Sequence, residues 1–250
     1  MHLRRLLRAA ALALALLRCL FRLAFKRLRG RLTPVQRALW LQSACRAVLR
    51  AMGVNTCVIG EPPSHGLVVS NHLSYLDIAA YSSVMPCFFV SKAEVRNWPY
   101  FGFAASAGGT IFLDRSSRAS AGVAAAEICQ RLQLAVPVLL FPEGTSTDGS
   151  AVLRFHSALF HPAIQMHAPV TAAALQYICE TSLPERELCW FGDAGFLPHL
   201  WKILGMPALT AVITFDKPTV YADRRTAATI TNQRVSTMRA EEVAELPVYA

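Results

Sequence analysis

The sequence predicts an α/β fold: a mixed, largely parallel central sheet flanked by helices, preceded by an N-terminal membrane-binding two-helix segment. Three observations carry this. From residue 54 onward, short apolar runs alternate with stretches of helical periodicity, the pattern of strand–helix–strand units. Those runs are apolar on both faces, as strands are when helices cover both sides of a sheet. Ahead of them, residues 1–53 read as two consecutive helices, the first rich in arginine.

Met1 to Arg31 reads MHLRRLLRAAALALALLRCLFRLAFKRLRGR. The basic start and apolar middle suggest a signal peptide, but Arg18 and Arg22 follow with no small-residue cleavage site. Arg18 also stands where a lipoprotein box wants a small residue, and it cuts the apolar run well short of the ~20 residues a spanning helix needs. On a helix at ~100° per residue, Arg4, Arg8, Arg18, Arg22, Lys26 and Arg29 share an arc of about 80°, with Leu and Phe over much of the remainder. The segment is expected to lie in the membrane surface with its basic groups toward lipid phosphates. A short spanning anchor with snorkelling arginines is the alternative. Gly30 breaks this helix, Thr33-Pro34 caps and opens a second one, and Gly53 stops it.

Strands are then expected near Val54–Ile59, Leu67–Ser70, Phe88–Ser91, Thr110–Leu113, Val136–Phe141, Val170–Tyr177 and Leu209–Phe215. Helices are expected near Tyr75–Ser83, Ser120–Leu132, Ser157–His167 and Ala222–Arg239. No repeat or linker divides this region, so the chain reads as a membrane-associated helix pair (1–53) and one α/β domain (54–250).

Composition narrows the partners. The chain is 54% hydrophobic with 16% charged residues, and Lys+Arg exceed Asp+Glu by 25 − 16 = 9. An apolar, basic protein meets nucleic acid or an anionic membrane surface. With no zinc-finger spacing, RNA-binding aromatic signature or lysine-rich tail, nucleic acid is set aside. The seven cysteines, at 19, 45, 57, 87, 129, 179 and 189, form no C-x-x-C pair and no disulfide framework. They read as small buried hydrophobes in a reducing compartment.

Ligands of open α/β sheets bind beyond the carboxyl ends of strands, and polar stretches stand at such places here. NHLSYLD follows Leu67–Ser70 with Asn71, His72 and Asp77. Asp114 and Arg115, with Arg118 close behind, follow Gly109–Leu113. Phe141-Pro142-Glu143-Gly144-Thr145 follows Val136–Leu140, and Pro169-Val170 opens a later strand. Taken singly, each reads as a cap, a turn or a surface salt bridge. Histidine is suited to proton transfer near neutral pH, and a carboxylate in reach can fix its tautomer. Positions five apart on an ideal helix differ by about 140°. His72 is therefore expected in the loop before the helix, with Asp77 in the helix's first turns.

In this order the blocks resemble the glycerolipid acyltransferase family (the lysophosphatidic acid acyltransferase superfamily) over about residues 35 to 220. The family's N-H-x-x-x-x-D is Asn71, His72 and Asp77. Its G-x-I-F-[ILV]-[DN]-R is Gly109 to Arg115, its F-P-E-G-T is Phe141 to Thr145, and its P-V strand opening is Pro169-Val170. The resemblance implies transfer of a fatty acyl group from an acyl carrier protein or coenzyme A thioester to the hydroxyl of a lyso-lipid. It needs no cofactor beyond that co-substrate and takes place at the cytoplasmic face of the inner membrane. No metal is expected either, since metal-ligand spacing is absent. His72 is implied as the general base and Asp77 as its partner. Asn71, Arg115, Glu143, Gly144, Thr145 and Ser146 are expected to bind substrate, with Glu143 either meeting the acceptor's hydroxyls or bracing its loop. Amides near Gly144-Thr145 or Ser74 are candidates to hold the oxyanion.

The chain departs from the family at one place. Many members with a phosphate-bearing acceptor have Arg after E-G-T, where this chain has Ser146, and a hydroxyl cannot make the bidentate contact of a guanidinium. The stretches at 154–160 and 191–201 are similar to members acting on other lyso-lipids, lyso-ornithine lipid among them. A lipid or thioester hydrolase is the rival enzyme class, though the G-x-S-x-G elbow is missing. A covalent route through Ser74 or a cysteine is a third reading, and an inactive membrane-binding protein is a fourth.

Overall fold

A computed structural model describes residues 2–98, 101–114, 118–181 and 183–241. Two long helices come first, α1 (His2–Leu28) and α2 (Pro34–Met52). Thr33 and Gln36 form a reciprocal capping box at the start of α2. Gly53, at φ 69°, ends it in the left-handed conformation that glycine adopts without strain. The chain continues as β1 (Val54–Ile59), β2 (Leu67–Ser70), α3 (Leu76–Val84), β3 (Phe88–Lys92), α4 (Phe101–Gly108), β4 (Ile111–Leu113), α5 (Arg118–Leu132) and β5 (Val138–Leu140). It ends with α6 (His161–Gln165), β6 (Val170–Cys179), α7 (Phe196–Gly205), β7 (Leu209–Phe215) and α8 (Arg224–Ala240).

The strands form one seven-stranded sheet in the order β1-β7-β6-β2-β5-β3-β4. Every pairing is parallel except β6 with β7. Helices cover both faces, which explains strands without polar alternation: all four residues of β2 and all three of β5 are buried. One core lies between the sheet and α1, α2, α3 and α7; the other is filled from α5, α6 and α8. The N-terminal helices join the first core through Cys19, Leu23, Trp40 and Leu49.

Three sequence expectations are corrected. The helix expected over Ser157–His167 is a 3-10 turn at Ser157–Phe160 followed by the short α6. Pro162 has no N–H to extend a helix from upstream, so the helix starts anew around it. The strand expected over Val136–Phe141 shortens to β5, because Pro137 cannot donate to the ladder. Helices α4 and α7 stand where the sequence reading expects none.

The inward and outward faces of α1 also differ from expectation. Arg8 does not point to solvent: its guanidinium donates to the carbonyl oxygens of Met206 (2.6 Å) and Pro207 (2.9 Å) at the end of α7. A cation there complements the negative end of the helix. The outward face instead carries Leu3, Leu7, Leu14, Leu17, Phe21, Phe25 and Leu28, all exposed and at helical spacing. Arg4, Arg18, Arg22, Lys26 and Arg29 remain exposed beside it. Among the described residues no helix is long and apolar enough to cross a membrane.

Candidate active site

Strand β2 sits near the middle of the sheet, and the chain beyond its carboxyl end is held residue by residue. Ser70 shares a hydrogen bond with the Tyr81 hydroxyl (2.6 Å). Asn71, 2% exposed, extends the sheet with its side chain: Oδ1 accepts from Leu175 N (2.8 Å) and Nδ2 donates to Leu175 O (3.0 Å). Asn71 is thus committed to β6. Both ends of the amide expected to meet substrate are used in locking the strand end that presents the next residue.

That residue is His72. Its Nδ1 lies 2.7 Å from Asp77 Oδ2, and its ring stacks on Phe141 with centroids 4.1 Å apart and planes 13° from parallel. As the five-residue spacing requires, His72 lies in the loop and Asp77 in the first turn of α3. Asp77 is fully buried and surrounded by donors. Oδ2 also accepts from Leu73 N (2.7 Å) and Ser74 N (3.0 Å), and Oδ1 accepts from the Tyr177 hydroxyl (2.6 Å). Burial first, then the Asp77 charge, push the Tyr177 phenol well above the usual range, so it stays a donor. Four hydrogen bonds fix the carboxylate, which fixes the imidazole with Nδ1 as donor and leaves Nε2 unpartnered among the described residues. A buried charge is tolerated only when satisfied in this way.

The loop after β5 closes the site from the other side. Glu143, buried, spans two backbone segments: Oε1 accepts from His72 N (2.8 Å) and Oε2 from Leu153 N (2.9 Å). Burial raises its pKa, and those two amides pull it partly back. Of the two roles weighed for Glu143, this geometry supports bracing, because both oxygens already serve the polypeptide. Gly144, at φ 80°, turns the chain sharply enough for Thr147 N to donate to His72 O (2.9 Å). Thr145 is exposed and Ser146 half-buried beside it. Arg115 lies outside the described residues.

The amides weighed as oxyanion donors divide clearly. Ser74 N is used by Asp77 and Gly144 N donates to Phe141 O (3.1 Å), whereas Thr145 N meets no partner among the described residues. The covalent route loses support on burial. The Ser74 side chain is inaccessible and accepts from Leu76 N (3.3 Å). Burial pushes the Cys45 and Cys189 thiols up to about 12, far from thiolate formation. No group of three His, Cys, Asp or Glu that could hold a metal occurs among the described residues.

Sequence reasoning missed Tyr177, which reaches Asp77 from β6, and the stacking role of Phe141. It also missed Tyr75, whose hydroxyl hydrogen-bonds His199 on α7 (3.1 Å). None has a local signal, since each partner is brought in by the fold.

Comparison with known proteins identifies the family. The Acyltransferase family model matches residues 60–176, the segment holding His72, Asp77 and Glu143. The chain is 36% identical over 173 residues to the 1-acyl-sn-glycerol-3-phosphate acyltransferase of Neisseria meningitidis serogroup B, covering 68% of each. It is 34% identical over 212 residues to the lyso-ornithine lipid O-acyltransferase of Pseudomonas aeruginosa, covering 81% of this chain and 80% of that one. The crystal structure of the 1-acyl-sn-glycerophosphate acyltransferase PlsC from Thermotoga maritima shares the fold, with a TM-score of 0.63 at 17% identity over 94% of this chain and 99% of that one. On the strength of the aligned relatives and the matched family model, the chain belongs to the glycerolipid acyltransferase family and is an acyltransferase.

Proposed function

We propose that the protein moves a fatty acyl group from an acyl thioester, on acyl carrier protein or coenzyme A, to the hydroxyl of a lyso-lipid in phospholipid biosynthesis. The observation that supports this best is the His72–Asp77 pair, with Nδ1 engaged and Nε2 unpartnered at a strand end. Nε2 takes the hydroxyl proton as the acceptor oxygen attacks the thioester carbonyl carbon. Asp77 stabilises the imidazolium, and Thr145 N is the amide available to the tetrahedral oxyanion. Collapse breaks the carbon–sulfur bond, and the imidazolium returns its proton to the leaving thiolate. Neither a cofactor nor a metal enters this scheme.

The acceptor in the first reading is 1-acyl-glycerol-3-phosphate, the substrate named for the meningococcal relative, with Arg115 and Ser146 at its head group. Ser146 favours a second reading, a phosphate-free acceptor such as lyso-ornithine lipid, because the guanidinium that would chelate phosphate is missing. Competition between equimolar lysophosphatidic acid and lyso-ornithine lipid tests the choice. If Ser146 reports the head group, wild type favours lyso-ornithine lipid and Ser146→Arg moves the ratio toward the phosphate acceptor by about tenfold or more, the value of one charge-assisted bond. A strong wild-type preference for lysophosphatidic acid, unmoved by Ser146→Arg, assigns the first reading.

Membrane association at the cytoplasmic face of the inner membrane completes the proposal. The apolar outer face of α1 adjoins exposed basic side chains. Phe101 and Phe103 on α4 and Leu197 and Trp201 on α7 are exposed as well, giving an apolar surface with a cationic border suited to anionic lipid. Seven free cysteines fit a reducing compartment. Leu17→Glu with Phe21→Glu alters only exposed positions, so the melting temperature is expected to hold. Co-sedimentation with phosphatidylglycerol vesicles should fall at least tenfold. Undiminished binding by the double variant would remove α1 as the docking element.

A further inference from the structure

Helix α7 lies between the N-terminal helix and the catalytic loop and is tied to both. At its carboxyl end, Arg8 of α1 donates to the carbonyls of Met206 and Pro207. Toward its amino end, His199 is 7% exposed, and its Nδ1 lies 3.1 Å from the hydroxyl of Tyr75. Tyr75 is three residues from His72 and immediately precedes the helix that carries Asp77, with no side-chain capping bond to it. Its ring is the centre of an aromatic cluster, packing on Phe196 (4.9 Å), His199 (5.5 Å), Trp190 (5.7 Å) and Phe101 (6.3 Å). Trp190 in turn donates its backbone N–H to Leu73 O (2.8 Å).

Burial keeps both partners of the Tyr75–His199 bond uncharged. Desolvation lowers the pKa of His199 more than its neighbours raise it, so the ring is neutral. The Tyr75 phenol, raised by burial, keeps its proton. A neutral imidazole can accept from the phenol at Nδ1 or donate to it, and either tautomer keeps the Tyr75–His199 bond; Nε2 is buried with no hydrogen-bond partner among the described residues.

We infer that Tyr75 and His199 are a positioning pair for acyl transfer: the hydrogen bond holds the 71–75 loop, and with it His72, against α7. This rests on His72 being the base. The reason such a bond should register in rate is geometric. The backbone ties of His72 itself, its N–H on Glu143 and its carbonyl on Thr147 N, both come from the loop after β5. The Tyr75 bond ties the same loop to a separate element, α7. A base displaced by about 1 Å can lose roughly 100-fold, and partial loosening costs less.

A double-mutant cycle on the full chain tests this. Tyr75→Phe removes only the hydroxyl, and His199→Leu removes its hydrogen-bonding partner. His199→Asn places an amide oxygen near the position of Nδ1. The expectation is a fall in kcat of about 3- to 10-fold for Tyr75→Phe and for His199→Leu, with KM for the acceptor unchanged. The double variant should be no worse than either single one, and His199→Asn should lie within about twofold of wild type. Multiplying losses in the double variant, or equal damage from His199→Asn and His199→Leu, would overturn the pairing, as would a change in KM alone. Should His199→Leu fail to fold, Tyr75→Phe and His199→Asn still decide: an unchanged kcat in Tyr75→Phe ends the proposal. His72→Ala, measured alongside, separates the readings. If it stays active, the base assignment fails; if it is inactive while the cycle is additive, only the positioning pair fails.

Discussion

His72→Ala is expected to lower acyl transfer by ~10²–10⁴-fold, the usual contribution of a general base, while leaving fold and vesicle binding intact. The structure explains why the effect should fall on chemistry. The imidazole makes one side-chain hydrogen bond, to Asp77, and one stack, on Phe141, and its ring is partly exposed. The loop around it is held through backbone atoms, His72 N on Glu143 and His72 O on Thr147, which alanine retains. A loss smaller than about tenfold, measured as product formed per minute, would reject His72 as the base.

Asp77→Asn should be nearly as damaging, and for a reason separable from folding. Oδ2 faces three N–H donors, so an asparagine there must turn its oxygen to that side and its amide nitrogen toward the Tyr177 hydroxyl. A phenol can accept from that nitrogen, so the variant keeps the three N–H bonds and folds, with only the Tyr177 O–H losing its acceptor. The negative charge is gone, and with it the stabilisation of the imidazolium formed as the proton moves. The expected loss is roughly 100-fold or more in kcat, with the melting temperature within a few degrees of wild type. Near-wild-type kcat in Asp77→Asn would return Asp77 to a helix-capping role. Tyr177→Phe is the milder companion, since it leaves the charge and removes one of four donors.

Much of this site was legible in the chain because its chemistry is local. His72 and Asp77 are five residues apart, and a strand ending at Ser70 with a helix starting near Tyr75 leaves only one side of the helix start for both. The bounds of β1, β2 and β7 could be read to the residue from apolar runs closed by Gly or polar clusters. The roles of Asn71 and Tyr177 could not, since their partners are 104 and 100 residues away, and only the β2–β6 pairing brings them together. Helix α7 was hidden by Pro198, which reads as a helix breaker. It stands in the first turn, where its missing N–H has no intrahelical partner to lose. Helix α4, eight residues long with Gly102 and Gly108 inside it, falls below what periodicity can detect. Helical angle groups Arg8 with the other basic residues of α1. Sequence alone could not show that the carboxyl end of α7 would claim it.

The most direct measurement of the central claim is mass spectrometry of products from purified protein given an acyl thioester and a lyso-lipid mixture. The expected result is a diacylated lipid formed one for one with free thiol, in wild type and not in His72→Ala. Thiol release with free fatty acid and no lipid product would make this site a hydrolase, and an unconsumed thioester would contradict catalysis by this chain altogether.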